Sequence, residues 1–282
     1  MKLAIFADIH SNYLVFKKAF ELTKNMNIDK YIFLGDYVTD GFDGNKILDI
    51  IKSTDNYAIN GNREVSLIEY HKNKIDDWDK YVQWYSMKFG YKCLSKENIK
   101  FIESLDIYKI VTIEGRKICL SHSTPYNVRG DVFKDSYEVF DNLIKDFDCD
   151  IYLFGHEHKS FCTLYKGKYF INPGSIGMPT YELPYKFGIL ELTTNKVEFE
   201  TIDIEYEYEE LCDYYYTSEY YKVAPQWCEL LVNSMKDGKN HPDNFINLLK
   251  LRAKENDIDI STHFPNNLFI GVFEEYKNKN FK

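Results

Sequence analysis

Two short patterns, Asp8-Ile9-His10 and His156-Glu157-His158, together with His122 after the run Lys117 to Ser121, hold four of the chain's seven histidines. Two more apolar runs end in Gly35-Asp36 and Gly61-Asn62. Imidazoles, carboxylates and one amide, with no thiolate, suit borderline to hard divalent ions such as manganese, iron, zinc or nickel and do not suit a structural zinc cage. Alternate residues of an extended segment point the same way, so each spaced pair can reach into one cavity. The seven groups Asp8, His10, Asp36, Asn62, His122, His156 and His158 are too many for one tetrahedral ion. They match two ions sharing a bridging carboxylate.

The positions of these groups matter as much as their types. Two histidines at a strand end can be mere turn residues reaching water, but here five strand-like runs deliver polar residues at their ends. Residues 2–8 (KLAIFAD), 31–36 and 56–60 read as strands, and 12–26 and 44–53 as helices, with Ser11 or Asn12 as the first N-cap. That β-α-β-α-β order predicts a parallel sheet covered by helices. In such sheets ligands bind beyond the carboxyl ends of the strands. His71, His241 and His263 have no such setting and read as surface or structural residues.

Residues 64–105 read as a helical insertion. Strands at 108–113 and 117–122 follow, their EGR link suiting a hairpin, then a helix at 135–147 and the run IYLFGHEH. From there short alternating strands (160–165, 168–175, 186–192 and 196–204) predict a mixed or antiparallel second half. Beyond about residue 206 the pattern is helical, at 206–221, 226–237 and 243–255.

Composition narrows the class. A chain of 282 residues, 44% hydrophobic and 28% charged, can bury one large core with an appendage. Its first apolar stretch is cut off at Asp8, too short for a signal peptide, and no stretch is long enough to span a membrane, so a cytoplasmic location is expected. Six cysteines without a CxxC pair read as reduced, buried thiols. With 35 basic against 44 acidic residues the net charge is -9. That charge argues against general nucleic-acid binding, while leaving room for a small anionic substrate held by metal ions. Aromatic content is high at 17%, with 24 tyrosines in the chain, and much of it falls in 78–91 and 206–221. Packing is the ordinary reason for such crowding, and stacking on a nucleobase is the alternative.

Taken in order, D-x-H (8, 10), G-D (35, 36), G-N (61, 62), His122, G-H-x-H (155–158) and NPGS (172–175) resemble the calcineurin-like metallophosphoesterases over roughly residues 1–205. The resemblance implies an α/β (α+β) fold: a four-layer α/β/β/α sandwich of two mixed sheets with a dinuclear site at its edge. It divides the chain into a metallophosphoesterase domain (1–205, with 64–105 inserted) and a helical C-terminal extension (206–282). Carried over by position, Asp8, His10, Asp36 and His158 would hold one ion and Asp36, Asn62, His122 and His156 the other, with Asp36 bridging. Manganese is the first expectation, with iron, zinc, nickel or magnesium as alternatives. Two ions about 4 Å apart neutralise phosphoryl oxygens and lower the pKa of a bridging water, which implies hydrolysis of a small phosphate ester or nucleotide. Asp36, Asn62, Arg63 and His122 are the residues closest to that chemistry.

Two departures bear on substrate. Where many members of the family carry a histidine that protonates the leaving group, this chain reads Gly61-Asn62-Arg63-Glu64. Arginine cannot give up a proton at neutral pH, although its planar fork can clamp a phosphate oxygen. Arg63 therefore either contacts substrate, points outward or pairs with a nearby carboxylate such as Glu64, and leaving groups that need no proton are favoured. The run Tyr37-Val38-Thr39-Asp40-Gly41 lacks the aspartate-arginine-glycine of the related protein phosphatases, which argues against that activity. The helical tail resembles, more loosely, bacterial phosphodiesterases that include diadenosine tetraphosphate hydrolases. Other classes remain: a phosphomonoesterase of the same fold; a protein-binding scaffold, although scaffolds of this fold usually lose ligands and none is missing here; and a nuclease, disfavoured by charge and by Arg63. Oligomeric state is not legible.

Overall fold

The structure is a computed structural model describing residues 1–73, 77–181 and 183–281. Its first half runs β1 (Lys2–Phe6), α1 (Tyr13–Thr23), β2 (Lys30–Phe33), α2 (Gly44–Ser53) and β3 (Asn56–Ala58). Four helices follow, α3 (Asn62–Asn73), α4 (Asp77–Lys80), α5 (Tyr85–Cys93) and α6 (Lys96–Glu103), where the sequence predicts an insertion. The second half comprises β4 (Tyr108–Ile113), β5 (Arg116–Ser121), α7 (Tyr137–Phe147), β6 (Ile151–Leu153), β7 (Phe161–Tyr165), β8 (Lys168–Asn172), β9 (Tyr185–Thr193) and β10 (Lys196–Ile204).

Two five-stranded sheets form, in the orders β10-β9-β1-β2-β3 and β4-β5-β6-β8-β7. In the first, β1 pairs parallel with β2 and β2 with β3, while β1 with β9 and β9 with β10 are antiparallel; in the second, the central pairs β5 with β6 and β6 with β8 are parallel and the outer pairs antiparallel. The period of two along each strand sorts the apolar residues into layers. Leu3, Ile5, Ile32 and Leu34 meet Ile118, Leu120, Ile151 and Leu153 between the sheets. Their neighbours Ala4, Phe6 and Phe33 face outward onto α1 and α2, and Tyr152 and Phe170 face outward onto Phe140 and Leu143 of α7. The four-layer α/β/β/α sandwich follows from that alternation. Asn12 caps α1, its Oδ1 accepting from the Val15 amide at 3.4 Å, so the side chain is committed to the fold.

The C-terminal region departs from the pattern predicted for it. The stretch 206–221 is two helices, α8 (Tyr208–Tyr216) and α9 (Glu219–Val223). Ser218 breaks the run and caps α9 by accepting from the Tyr221 amide, a local competition that serine side chains offer the helix backbone. The chain continues through α10 (Pro225–Asp237), α11 (His241–Glu255) and α12 (Asn266–Asn280). Helix α12 has no counterpart in the predicted pattern, because an Asn-rich start and a central glycine blur its period. Leu211, Tyr215, Tyr220, Cys228, Leu231 and Val232 join the same apolar core as α1, α2 and the inserted helices. A separate cluster of Leu230, Phe245, Leu249, Phe269, Phe273 and Tyr276 ties α10, α11 and α12 together. All six cysteines are free, but Cys162 on edge strand β7 is exposed and Cys93 and Cys212 are half-buried, so burial is not general among them. No helix among the described residues is long and apolar enough to cross a membrane.

Candidate metal centre

The loops after β1, β2, β3, β5 and β6 converge on one edge of the sandwich, where side chains from both sheets meet. Asp8, His10, Asp36, His156 and His158 all take the left-handed backbone conformation, with φ of +54, +46, +53, +70 and +55°. For residues other than glycine this costs about 1–2 kcal/mol each and persists only where surrounding structure dictates it. The loops supply that dictation to one another: the amides of His10 and Ser11 donate to the carbonyls of Asp36 and Tyr37 at 2.9 and 3.0 Å. Glu64, fully buried, accepts from the amides of Asp36, Tyr37, Val38 and Gly61 at 2.8 to 3.2 Å. Burial and the Asp36 charge push its carboxyl up to about 7. At Gly35 (φ +92°) a Cβ would run into the Gly61 backbone and lie 2.9 Å from His122 Nδ1. Only a glycine lets the Asp36 loop close onto its neighbours there.

Within this frame Asp36 turns one oxygen each way. Oδ2 lies 3.8 Å from His10 Nε2, and Oδ1 lies 3.5 Å from His122 Nε2. Asp8 Oδ1 stands 3.3 Å from His158 Nε2 and 3.9 Å from His122 Nε2. The ligand atoms fall into two groups that share Asp8, namely Asp8, His10 and His158, and Asp8, Asp36 and His122. Asn62 Oδ1 is 3.1 Å from His122 Nε2. His156 sits edge-on to His122, ring centroids 5.2 Å apart, and its ring groups with Asp131 and Glu157.

The imidazoles are set to present Nε2. His122 Nδ1 donates to the Leu34 carbonyl at 2.7 Å, His10 Nδ1 to the Asp40 carboxylate at 3.1 Å, and His158 Nδ1 meets Thr180 Oγ1 at 3.2 Å. Such partners fix tautomer and ring orientation in metal-binding histidines. His10 Nε2 and His158 Nε2 then face each other across 3.2 Å, close enough for both to be ligands of one cation.

The charges point the same way. Burial opposes ionisation of Asp8 and Asp36, yet the surrounding imidazoles hold both carboxyls below their usual range. Burial likewise opposes charge on His122, but Asp36 and Asp8 override it and push that group up to about 10. His156 is held down at about 4 by burial and by His122. Two fully buried carboxylates draw protons onto neighbouring imidazoles in place of a stronger countercharge. A set of nitrogen and oxygen donors around two ionised carboxylates fits divalent ions.

Arg63 does not pair with Glu64, whose carboxylate is spent on backbone amides. Its Nη2 pairs with Asp40 Oδ2 at 3.2 Å, and its Nε lies 3.9 Å from Asp36 and is buried without a hydrogen-bond partner. The head group also faces the crevice of about 360 Å³ in front of the ligand cluster. Asp40, Glu64 and Thr180 are not assigned roles by the sequence pattern. Asp40 and Glu64 stand inside quoted motifs, where their closeness to Asp36 and Asn62 was the available signal, and Thr180 carries none. Asn240, Pro242 and Asp243 bring the extension to the crevice wall, which no motif announces.

Known proteins resemble this chain in sequence and in fold. A protein of Methanocaldococcus jannaschii described as uncharacterized is 27% identical over 198 residues, covering 63% of this chain and 76% of that protein. A second protein of that archaeon, named as a phosphodiesterase, is 26% identical over 210 residues, covering 73% of this chain and all of that one (100%). The crystal structure of a metallophosphoesterase from Sphaerobacter thermophilus superposes with a TM-score of 0.65 at 19% identity, covering 84% of this chain and 100% of that one, a likeness that bears on the fold. Residues 1–195 match the family described as the calcineurin-like phosphoesterase superfamily domain, and the chain belongs to that superfamily.

Proposed function

We propose that the chain is a phosphoesterase using two divalent ions, most simply manganese, to hydrolyse small phosphate esters, with phosphodiesters or nucleotides as substrates. The observation that carries this reading is Asp36, whose two oxygens face imidazoles of opposite halves of the cluster, 3.8 and 3.5 Å away. Oxygens turned both ways support Asp36 as the carboxylate that the two ions would share. Asp8, His10, Asp36 and His158 would hold one ion, and Asp36, Asn62, His122 and His156 the other. Such ions supply charge neutralisation at phosphoryl oxygens and a lowered pKa of water. The chain's own contribution is to orient Nε2 of each imidazole, to keep both carboxylates ionised and to hold Arg63 beside the crevice. Because Arg63 cannot donate a proton, esters with acidic leaving groups turn over best.

The test is hydrolysis by metal-stripped protein reconstituted with manganese, comparing an aryl phosphodiester, an aryl monoester and diadenosine tetraphosphate. Turnover that needs metal and falls at least a hundredfold in Asp36→Asn is expected, since oriented charge of this kind contributes about 10²–10³-fold. Metal bound at full occupancy without turnover of any of the three would overturn the reading and favour a protein-binding scaffold.

A further inference from the structure

Beside the metal crevice lies a second cavity of about 200 Å³, and its chemistry is different. Trp84 comes to it from the short 3-10 turn just before α5, Met87 from α5, Trp227 from α10, Ile246 from α11 and Phe264 from the segment before α12. The two cavities adjoin, for Arg63, Met178 and Pro242 line both. Well-packed interiors leave few voids larger than a water molecule, and a cavity that is mostly apolar with a few placed polar groups is the usual form of a ligand site. The indoles here are half-buried, Trp84 stacked on Trp78 and Trp227 packed against Phe269, and both line the cavity.

The polar groups in the wall define what fits. Asp40 and Arg63 are paired with each other at 3.2 Å, so neither offers a free charge. Trp227 Nε1 donates to the Gln83 carbonyl at 3.0 Å, and Gln83 Oε1 accepts from the Phe264 amide at 2.7 Å. Gln83 Nε2, in contrast, makes no hydrogen bond among the described residues. A flat, uncharged aromatic group carrying a few acceptors satisfies such a wall, and a sugar or a second phosphate does not.

We propose that this cavity is the subsite for an aromatic group of the phosphate ester, with the two indoles as stacking surface and Arg63 at the junction with the metal crevice. The proposal rests on the phosphoesterase reading and names its substrate class: esters in which an aromatic ring sits close to the phosphate. The ring belongs either to a simple aryl group or to a nucleobase, and the chemistry they share is a π-face of neutral charge.

The experiment uses the full-length protein. With manganese bound, phenylphosphonate and methylphosphonate are compared as ligands by calorimetry, both having phosphorus-carbon bonds that resist hydrolysis. Phenylphosphonate binds at least tenfold more tightly, within the range that stacking on aromatic side chains gives. Ile246→Trp fills the cavity and brings that ratio close to one. A measurement on the unaltered chain needs no variant: two of the three tryptophans line the cavity, so phenylphosphonate quenches intrinsic fluorescence and shields it from acrylamide. Adenosine against ribose, titrated into metal-free protein, separates the sources. Quenching by adenosine assigns a nucleobase, and quenching by phenylphosphonate alone assigns a simple aryl group. Equal affinity for the phenyl and methyl ligands, or a phenyl preference that survives Ile246→Trp, overturns the proposal. Loss of the phosphoesterase reading appears elsewhere, as absence of manganese-dependent turnover. Failure of the subsite appears as turnover without aromatic preference.

Discussion

The metal crevice and the helical wall beside it touch through Arg63, Met178 and Pro242, yet they are built by opposite means. In the crevice, loops of strained backbone hold buried charges, and His10, His122 and His158 are each held by a directional bond to a particular neighbour. In the wall, relaxed helices meet through aromatic packing: Trp227 against Phe269 and Phe245 against Phe269, at centroid separations of 5.7 and 5.0 Å. A directional site tolerates one residue type at each position, whereas a packed wall tolerates any that conserves volume. The difference therefore predicts two kinds of damage.

Glu64 and Phe245 expose it most sharply. Both are fully buried. Glu64→Ala strands four backbone amides and is expected to cost about 3 kcal/mol or more. Phe245→Ala empties a cluster of rings and costs about 3–5 kcal/mol. Thermal unfolding should thus fall comparably in the two variants. Metal affinity, measured by calorimetry below the melting range, falls only in Glu64→Ala, because only there do the Asp36 and Gly61 loops lose their anchor. A loss of metal affinity in Phe245→Ala as large as in Glu64→Ala would show that the two regions form one mechanical unit.

Asp40 tests the seam between them at smaller amplitude. Its Oδ2 accepts from His10 Nδ1 and pairs with Arg63, while its Oδ1 accepts from Ser86 Oγ at 3.0 Å, and Ser86 in turn meets the Tyr220 hydroxyl at 2.9 Å. The surrounding charges hold the Asp40 carboxyl below its usual range against the cost of burial. Asp40→Asn keeps the shape and weakens the orientation of His10, so metal affinity should drop by about 10- to 100-fold, the usual loss for a residue that positions a ligand. Thermal unfolding should move little. A variant with wild-type metal affinity would mean that His10 is positioned by its backbone alone.

The same contrast explains what the sequence makes legible. Candidate ligand residues announce themselves because few side chains bind cations, and because strand ends bring them into one order along the chain. Layer order follows from the two-residue alternation of runs such as Leu3 to Phe6, which divides its residues between two cores. Glu64 is different. Its partners are backbone amides, which have no residue identity, so nothing in the spacing distinguishes it from a partner of Arg63. The wall is less legible still: Trp84, Trp227, Ile246 and Phe264 lie far apart in sequence, and apolar residues on a helix do not state which helix they will face. The Thr217-Ser218 break and helix α12 were hidden for the same reason, since a polar cap or an Asn-rich first turn interrupts the period that reveals a helix.

The smallest effect concerns the helical region alone. His241 is buried at the start of α11, its Nδ1 at 2.8 Å from the Tyr276 hydroxyl of α12 and its Nε2 at 3.1 Å from Asp237 of α10, with Lys239 in the linking turn. Burial, assisted by Lys239, holds its pKa below the ordinary 6.5, although Asp237 pulls the other way. A group depressed in the folded state binds fewer protons there than in the unfolded chain, so its contribution is fully present above about pH 6.5 and is lost as the pH falls. Asp237, also depressed, through its bonds to Lys239 and its contact with His241 and against the cost of burial, acts with the same sign at lower pH. His241→Gln should therefore flatten the fall in unfolding temperature between about pH 7 and pH 5 by an amount on the order of 1–2 °C. The comparison is made on metal-free protein, so that proton competition at the ligands is the same in both curves. A slope steeper in His241→Gln than in the parent would mean that Asp237 outweighs burial, and that the helical region, like the crevice, is held by a charge pair as well as by packing.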